Sequence, residues 1–131
     1  MTKRLIAMPA LAVAAAALPA CTAEMDRETE IRAPAVEVVG EAKRCIETNR
    51  IQNTVVHDDR TIDFDLGRET YRNTLPARCA GLGFEERFAY KTTIGQLCSI
   101  DTITVLRSGG INGPTCALGE FVPVRYVETG D

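Results

Sequence analysis

The fold class follows from one stretch in the middle of the sequence, Thr61-Ile62-Asp63-Phe64-Asp65-Leu66. Every second side chain in it is apolar, and a period of two is typical of a β-strand with one buried face. Residues 70–75 alternate in the same way after a turn at residues 67–69. Residues 50–57, which lie before a turn at residues 58–60, are rich in β-branched side chains. These three segments predict a three-stranded meander.

Further strands are predicted on the C-terminal side of this meander. Residues 84–91 carry aromatic side chains at strand spacing, and β-branched side chains dominate residues 99–107. Residues 118–126 predict a last strand, in which Pro123 indicates an edge position or a bulge. The sequence therefore predicts five or six strands in total.

A short helical turn is predicted between the two groups of strands. Pro76 suits the first position of a helix, where its missing N–H costs nothing. Gly81 and Gly83 are expected to end the turn. The elements together predict a mainly β domain, a small antiparallel barrel of the OB or SH3 type. A small β-sandwich is the alternative.

The N-terminus carries the pattern of a secretory signal peptide over residues 1–20. Lys3 and Arg4 form a positive start, and the apolar run over residues 5–18 is too short to cross a membrane, which takes about 20 residues. The run ends at Leu18-Pro19-Ala20-Cys21, which resembles the lipobox of bacterial lipoproteins. In such proteins a diacylglyceryl group is attached to the cysteine, and the peptidase cuts just before it. The sequence therefore predicts lipid attachment, such as palmitate, at Cys21.

The predicted address of the protein is the cell envelope. Thr22 after the cysteine favours the outer membrane under the usual sorting preference, with the domain facing the periplasm. A soluble periplasmic protein is the alternative, in which the signal is an ordinary cleaved one. Membrane contact is therefore expected through the lipid anchor at Cys21.

Composition separates the mature chain into a tether and one domain. Residues 21–43 are charged and contain no aromatic residue, so they are predicted to form a flexible tether. Residues 44–127 are predicted to form the β domain, and residues 128–131 a tail. Loss of residues 1–20 removes two basic residues and no acidic one, so the formal charge falls from −3 to −5. A net-acidic chain without a basic run argues against nucleic acid as a partner.

Four cysteines follow the tether: Cys45, Cys79, Cys98 and Cys116. An even number in a small exported domain predicts two disulfides. A four-cysteine zinc site usually needs closely spaced pairs, and the sequence has none, so neither a metal nor another cofactor is expected.

The pairing of these cysteines is predicted from a hairpin that turns at residues 109–114. In that hairpin Cys116 faces the end of the preceding strand, far from Cys98, which disfavours a Cys98–Cys116 bond. Of the two remaining connectivities we favour Cys79–Cys98 with Cys45–Cys116. The alternative, Cys45–Cys98 with Cys79–Cys116, stays open.

The domain resembles an uncharacterised family of short proteobacterial exported proteins and lipoproteins with four cysteines. The resemblance covers about residues 44–124, and proline commonly follows the second cysteine in the family, where this chain has Ala80. It implies an exported domain of unknown function and assigns no catalytic residue. The strings that carry it are Cys45-Ile46, Val56-His57-Asp58-Asp59-Arg60-Thr61-Ile62, Tyr71-Arg72-Asn73-Thr74-Leu75-Pro76, Cys79-Ala80-Gly81-Leu82, Leu97-Cys98-Ser99-Ile100-Asp101-Thr102-Ile103 and Cys116-Ala117-Leu118-Gly119-Glu120-Phe121.

The sequence contains few candidates for acid–base chemistry. His57-Asp58-Asp59 is the one cluster that joins a histidine to carboxylates, but acidic residues at this place are also what a turn prefers. Asp63 and Asp65 share a strand face, which suits either a solvated face or a carboxylate pair. Ser99 and Ser108 have no base nearby in the sequence. No catalytic residue is therefore assigned.

Several polar side chains instead suggest a recognition surface, because tyrosine and arginine are frequent anchors of interfaces. The candidate binding residues are Arg60, Tyr71, Arg72, Asn73 and Arg87.

The sequence leaves three functions open. The first is a membrane-tethered periplasmic binding or structural module without enzymatic activity, with an envelope protein or a glycan as its partner. The second is a small inhibitor or accessory subunit of an envelope enzyme. The third is a carboxylate-dependent hydrolase.

Overall fold

A computed structural model describes Ala10, Ala12 and residues 33–92 and 94–128 of the chain. The chain divides into two compact units, Met1–Glu30 and Ile31–Asp131. The predicted signal peptide, the predicted lipid-attachment residue Cys21, residues 22–32 of the predicted tether and residues 129–131 of the tail lie outside the described residues, apart from the two alanines. In the described part of the chain, no helix is long and apolar enough to cross a membrane.

The second unit is built from antiparallel strands, as the sequence predicts. A 3-10 turn covers Thr48–Arg50, and a short helix, α1, covers Leu82–Glu85. The strands are β1 (Val36–Val38), β2 (Cys45–Glu47), β3 (Asn53–Val56), β4 (Thr61–Asp65), β5 (Thr70–Thr74), β6 (Phe88–Tyr90), β7 (Gln96–Cys98), β8 (Thr102–Leu106), β9 (Asn112–Ala117) and β10 (Phe121–Tyr126).

The largest sheet has five strands in the order β1-β10-β5-β4-β3, and it contains the predicted meander of β3, β4 and β5. The alternation that begins at Thr61 is confirmed, because Ile62 and Phe64 are fully buried on the inner face. Asp63 lies on the outer face, opposite Val55 on β3 and Arg72 on β5.

The core lies between this sheet and a three-stranded sheet in the order β6-β8-β9. Phe64 packs edge-on against Phe121 of its own sheet and Phe88 of the other, with ring centroids 5.5 and 6.2 Å apart. A third sheet joins β2 to β7. Among the described residues, the end strands β1 and β3 of the large sheet pair with no strand beyond β10 and β4. The mainly β class with antiparallel strands is confirmed, and the described strands form three separate sheets rather than one closed barrel.

The predicted tether is too long. Residues 36–38 form β1, which pairs with β10, and Lys43 forms a bridge with Phe121. The β-branched Val36 and Val38 extend the large sheet, so the folded domain begins at least eight residues before Arg44. The charges that suggested a flexible segment are tolerated because β1 is an edge strand, where Glu37 pairs with Arg125 at 2.9 Å.

The prediction that the last strand lies at an edge of its sheet is also wrong. Pro123 lies on β10, an interior strand of the large sheet. Its carbonyl oxygen accepts from the Val39 N–H, so its missing N–H faces the β1 side just beyond the last residue of β1. The proline therefore costs the sheet little, because its missing N–H would point towards β1 at a place where β1 has already ended.

A helical turn was expected to end at Gly81, but the helix α1 begins directly after this residue. Gly81 precedes α1 with a φ of 87°, and Gly83 lies inside it. A Cβ at Gly83 would meet the backbone of Asp58 at 3.0 Å, so this glycine allows α1 to pack closely on the turn before β4.

The two disulfides are Cys45–Cys98 and Cys79–Cys116, so the favoured pairing is wrong. The reason is the hairpin of β8 and β9. Residues 112–117, whose first half the sequence predicts to be part of the turn, form β9, and the register places Cys116 opposite Ile103, the second residue of β8, rather than opposite the end of that strand. From there Cys116 reaches the buried Cys79, while Cys45 stands opposite Cys98 in the β2–β7 ladder.

Candidate functional site

A cluster of hydrogen-bonded side chains lies on the outer face of the large sheet. At its centre is the Asp63 carboxylate, which the other side chains cover so that it is only 2% exposed. Arg72 donates from Nε to Oδ1 at 2.8 Å and from Nη2 to Oδ2 at 3.0 Å. His57 Nε2 donates to Oδ2 at 2.7 Å, and the Tyr126 hydroxyl donates to the same oxygen at 2.6 Å. These four residues form what we call the Asp63 cluster.

Four separate elements hold the cluster together. Asp63 and Arg72 stand opposite each other on β4 and β5, which directs the guanidinium onto the carboxylate. His57 follows the end of β3, and Tyr126 is the last residue of β10. Arg72 also donates from Nη1 to the Pro34 carbonyl oxygen at 2.9 Å, so the chain just before β1 contacts the cluster.

The hydrogen bonds that Asp63 accepts determine that its carboxyl group is ionised. Burial opposes the charge on Asp63, but the bonds from Arg72, Tyr126 and His57 outweigh it and lower the pKa of Asp63 below its usual value. The same contacts raise the pKa of Tyr126 and of Arg72. Burial and the bond to Asp63 raise the pKa of Tyr126 to about 12, and the bond to Asp63 raises the pKa of Arg72. Asp63 is therefore an ionised carboxylate at neutral pH.

This arrangement limits what Asp63 can do chemically. Three donor atoms of the cluster point at Oδ2, and Arg72 Nε points at Oδ1. Oδ1 therefore keeps one of its lone pairs, but the side chain is only 2% exposed, so a substrate cannot bring a proton up to it. A general base must reach that proton within hydrogen-bond distance, so the cluster has the properties of a structural network.

The other acidic candidates serve turns. The Asp58 carboxylate accepts from the Arg60 N–H and the Asp65 carboxylate accepts from the Gly67 N–H, both at 2.8 Å. Asp59 accepts from the Gly83 N–H and from Arg78 Nε, also at 2.8 Å. The structure therefore brings His57 to Asp63, leaves Asp58 and Asp65 in local turn contacts, and uses Asp59 to bind the distant segment of Arg78 and Gly83.

Among the residues that the structure describes, no group of three or more His, Cys, Asp or Glu side chains is placed to hold a metal ion. Ser108 lies 3.4 Å from Glu85 Oε2, where its hydroxyl donates to a carboxylate on an exposed surface. Ser99 uses its N–H to bond the Arg44 carbonyl oxygen in the β2–β7 ladder.

The five residues predicted to form a binding surface do not share one. Tyr71 and Asn73 are buried on the inner side of the large sheet, while Arg72 belongs to the Asp63 cluster on the outer side. Arg60 donates to the carbonyl oxygens of Leu75 and Pro76. Arg87 is an exposed side chain near Glu85. Consecutive strand residues point to opposite faces, which separates Arg72 from its two neighbours.

Asn73 has a structural role that explains its burial. Its side-chain amide donates to the Gly119 carbonyl oxygen at 2.7 Å, and its Oδ1 accepts from the Gly119 N–H at 2.8 Å. A Cβ at residue 119 would overlap the Thr74 carbonyl oxygen, so only glycine permits this close approach. Asn73 thereby connects β5 to the chain that enters β10.

A groove of about 470 Å³ lies on the outer face of the three-stranded sheet. Its floor runs along β8, where Ile103 and Val105 point into the core and the alternate side chains point outward. No pattern in the sequence indicates this groove, because its hydroxyl and small side chains are ordinary for a solvated strand. The residues that line it are Ala89, Tyr90, Lys91, Ile100, Asp101, Thr102, Thr104, Leu106 and Asn112.

Comparison with known proteins gives no relative: no protein-family model, no curated protein and no solved structure matches this chain. The resemblance to the four-cysteine exported family therefore stays a prediction. The site has to be interpreted from its own geometry.

Proposed function

We propose that this protein is a lipid-anchored binding module of the bacterial cell envelope, held by Cys21 and without enzymatic activity of its own. The observation that carries the proposal is the combination of the lipobox-like sequence with a domain whose four other cysteines are all used in disulfides. Disulfides of this kind persist in oxidising compartments such as the periplasm. The fifth cysteine, Cys21, is then the one that acylation requires.

The groove on the three-stranded sheet supports a binding role. It is the kind of concave surface that a ligand needs, whereas the histidine–carboxylate pair of His57 and Asp63 is buried and bonded to its own partners. The proposal therefore places recognition on the groove, with the Asp63 cluster stabilising the opposite sheet.

The anchor is tested by replacing Cys21 with serine. We expect the wild-type chain to incorporate labelled palmitate and to fractionate with outer membranes, because acyl chains bind a bilayer at about 0.8 kcal/mol per buried methylene. The Cys21→Ser chain has no thiol for the diacylglyceryl group. It is expected to lose the label completely and to appear as an unprocessed or soluble form.

The matched control changes the neighbouring residue and keeps the thiol. Thr22→Asp is expected to retain the palmitate label but to shift the protein towards the inner membrane. If Cys21→Ser fractionates with membranes as the wild-type chain does, the lipid anchor is refuted.

An accessory subunit of an envelope enzyme is the second candidate, and exposed apolar side chains favour it. Phe84, Ile94, Ile100 and Ile111 are all exposed, Ile100 by 89%. Apolar side chains that are exposed together in a patch mark protein–protein contacts, whereas single ones are ordinary. Crosslinking in intact cells separates the two candidates: one stoichiometric protein partner favours the subunit, and crosslinks to glycan favour the binding module.

A further inference from the structure

The groove on β6, β8 and β9 has a floor of short side chains. Ala89 on β6 stands opposite Thr104 on β8, and Thr104 stands opposite Thr115 on β9. Alanine and threonine rise little above a sheet, whereas Ile100 and Leu106 are larger and line the groove on either side of this row. The groove therefore exists because a row of small side chains crosses β8 between two larger ones, Ile100 and Leu106.

The hydroxyls of the floor are available for recognition. The Oγ1 atom of Thr104, which lines the groove, lies 2.9 Å from that of Thr115, a neighbour on β9 that is not part of the lining, so one hydroxyl donates to the other. Each hydroxyl has one donor and two acceptor positions, which leaves one O–H and several lone pairs of this pair unused. Thr102 and Asn112 add an exposed hydroxyl and an exposed amide to the lining.

The charge of the lining is balanced. It contains one cation, Lys91, and one anion, Asp101, whose Oδ2 already accepts from the Cys98 N–H at 2.7 Å. A charged ligand would lose bound water on entering the groove, and the balanced charge of the lining would not attract it in return. Loss of hydration without pairing costs free energy. Charge complementarity therefore favours a neutral ligand.

We propose that the groove of β6, β8 and β9 binds a neutral oligosaccharide. A sugar presents hydroxyls, which donate and accept like those of Thr102, Thr104 and Asn112, and C–H faces, which pack on Ile100 and Leu106. β8 has five residues, about 17 Å at the rise of an antiparallel strand, which suits an oligomer rather than a single ring. The inference rests on the proposed binding function and adds the class of ligand.

The geometry disfavours an extended peptide as the occupant. A peptide strand is recognised through backbone hydrogen bonds at a free sheet edge. The groove instead lies over the face of the sheet, with β8 as the central strand. Its backbone groups already pair with β6 and β9.

The test is an NMR titration of the full chain, purified in detergent, in which isoleucine and threonine methyl groups are labelled. The ligand is the tetramer of N-acetylglucosamine, with trigalacturonate as the acidic comparison and a hexapeptide of alternating threonine and valine as the peptide comparison. We expect the tetramer to shift the methyl signals of Ile100, Thr102 and Thr104, and the acidic trimer and the peptide to bind more weakly.

Two variants examine the floor, and one serves as a control. Thr104→Val keeps the shape and removes the hydroxyl, so affinity is expected to fall about threefold to tenfold, the range of a single net hydrogen bond. Ala89→Leu fills the recess with an exposed side chain and is expected to abolish the shifts. Thr70→Val makes the same change on β5, in the other sheet, and is expected to bind like the wild type.

Three results would overturn the proposal: no groove shifts with the tetramer, tighter binding of the acidic trimer or the peptide, or unchanged affinity in both floor variants. The test does not depend on acylation, because it follows the methyl groups of the domain. A failure of the anchor in the Cys21→Ser experiment is therefore distinguishable from a failure of the groove.

Discussion

Replacement of Asp63 by alanine is expected to lower the free energy of unfolding by about 3–5 kcal/mol, the cost of leaving one partner of a buried ion pair without its counter-charge. The reason lies in the Asp63 cluster. Arg72 donates two hydrogen bonds to this carboxylate, and its side chain is 13% exposed. In the variant the guanidinium, the His57 ring and the Tyr126 hydroxyl all lose their acceptor. Chemical denaturation at neutral pH measures the loss.

Two asparagine variants keep this prediction testable if the alanine variant does not fold. Asp63→Asn retains an acceptor oxygen but no charge, so its loss is expected to be smaller than that of the alanine variant. Asp65→Asn is the matched control on the same strand, where the carboxylate is partly exposed and, within the described part of the chain, accepts from the Gly67 N–H alone. Its effect is expected to stay below about 1 kcal/mol. Equal losses at residues 63 and 65 would contradict the special role of the cluster.

The pH dependence of stability gives a second signature of the same carboxylate. The pKa of Asp63 is lower in the folded chain than in the unfolded one, so its contribution is complete above the unfolded pKa of about 4. The contribution disappears as the pH falls through the lowered folded pKa. The difference in stability between the wild type and Asp63→Asn is therefore expected to shrink on acidification from about pH 4. A difference that stays constant to pH 2 would refute the ionised carboxylate.

Removal of the Cys79–Cys116 disulfide by the double replacement with alanine is expected to cost about 4 kcal/mol, from the entropy of closing a loop with a sequence separation of 37 residues. Cys79 is fully buried, so the bond also joins the segment after β5 to β9 inside the core. Small domains have about 5–15 kcal/mol of stability in total. Thermal unfolding of the double variant should therefore begin far below that of the wild type.

Peptide mapping without reduction provides the control for the disulfide prediction. A digest of the wild type should release one fragment that joins Cys79 to Cys116 and another that joins Cys45 to Cys98. In the double variant only the second fragment should remain. A loss of stability below about 1 kcal/mol, against the expected value for a loop of this size, would show that the bond adds little to the fold.

Local features of the sequence determine the class and the predicted address of this protein. The alternation that starts at Thr61 predicts β4 and its buried face, because side chains of a strand point to opposite sides whatever the rest of the chain does. The same reasoning predicts β5, β6 and β8. The lipid-attachment prediction at Cys21 is of the same local kind, since it depends on the residues immediately before the cysteine.

The tertiary structure decided the cysteine pairing and the role of Asp63, because both depend on which strands are neighbours and in which register. A period of two assigns Asp63 to a polar face, yet only the packing of β3, β5 and β10 brings His57, Arg72 and Tyr126 around it and buries it. The glycine and proline at residues 113 and 114 resemble a loop in the sequence, but they lie within β9, and the register of that strand brings Cys116 within reach of Cys79. Local periodicity contains no information about register over separations of tens of residues, and contacts across the sheets supply it.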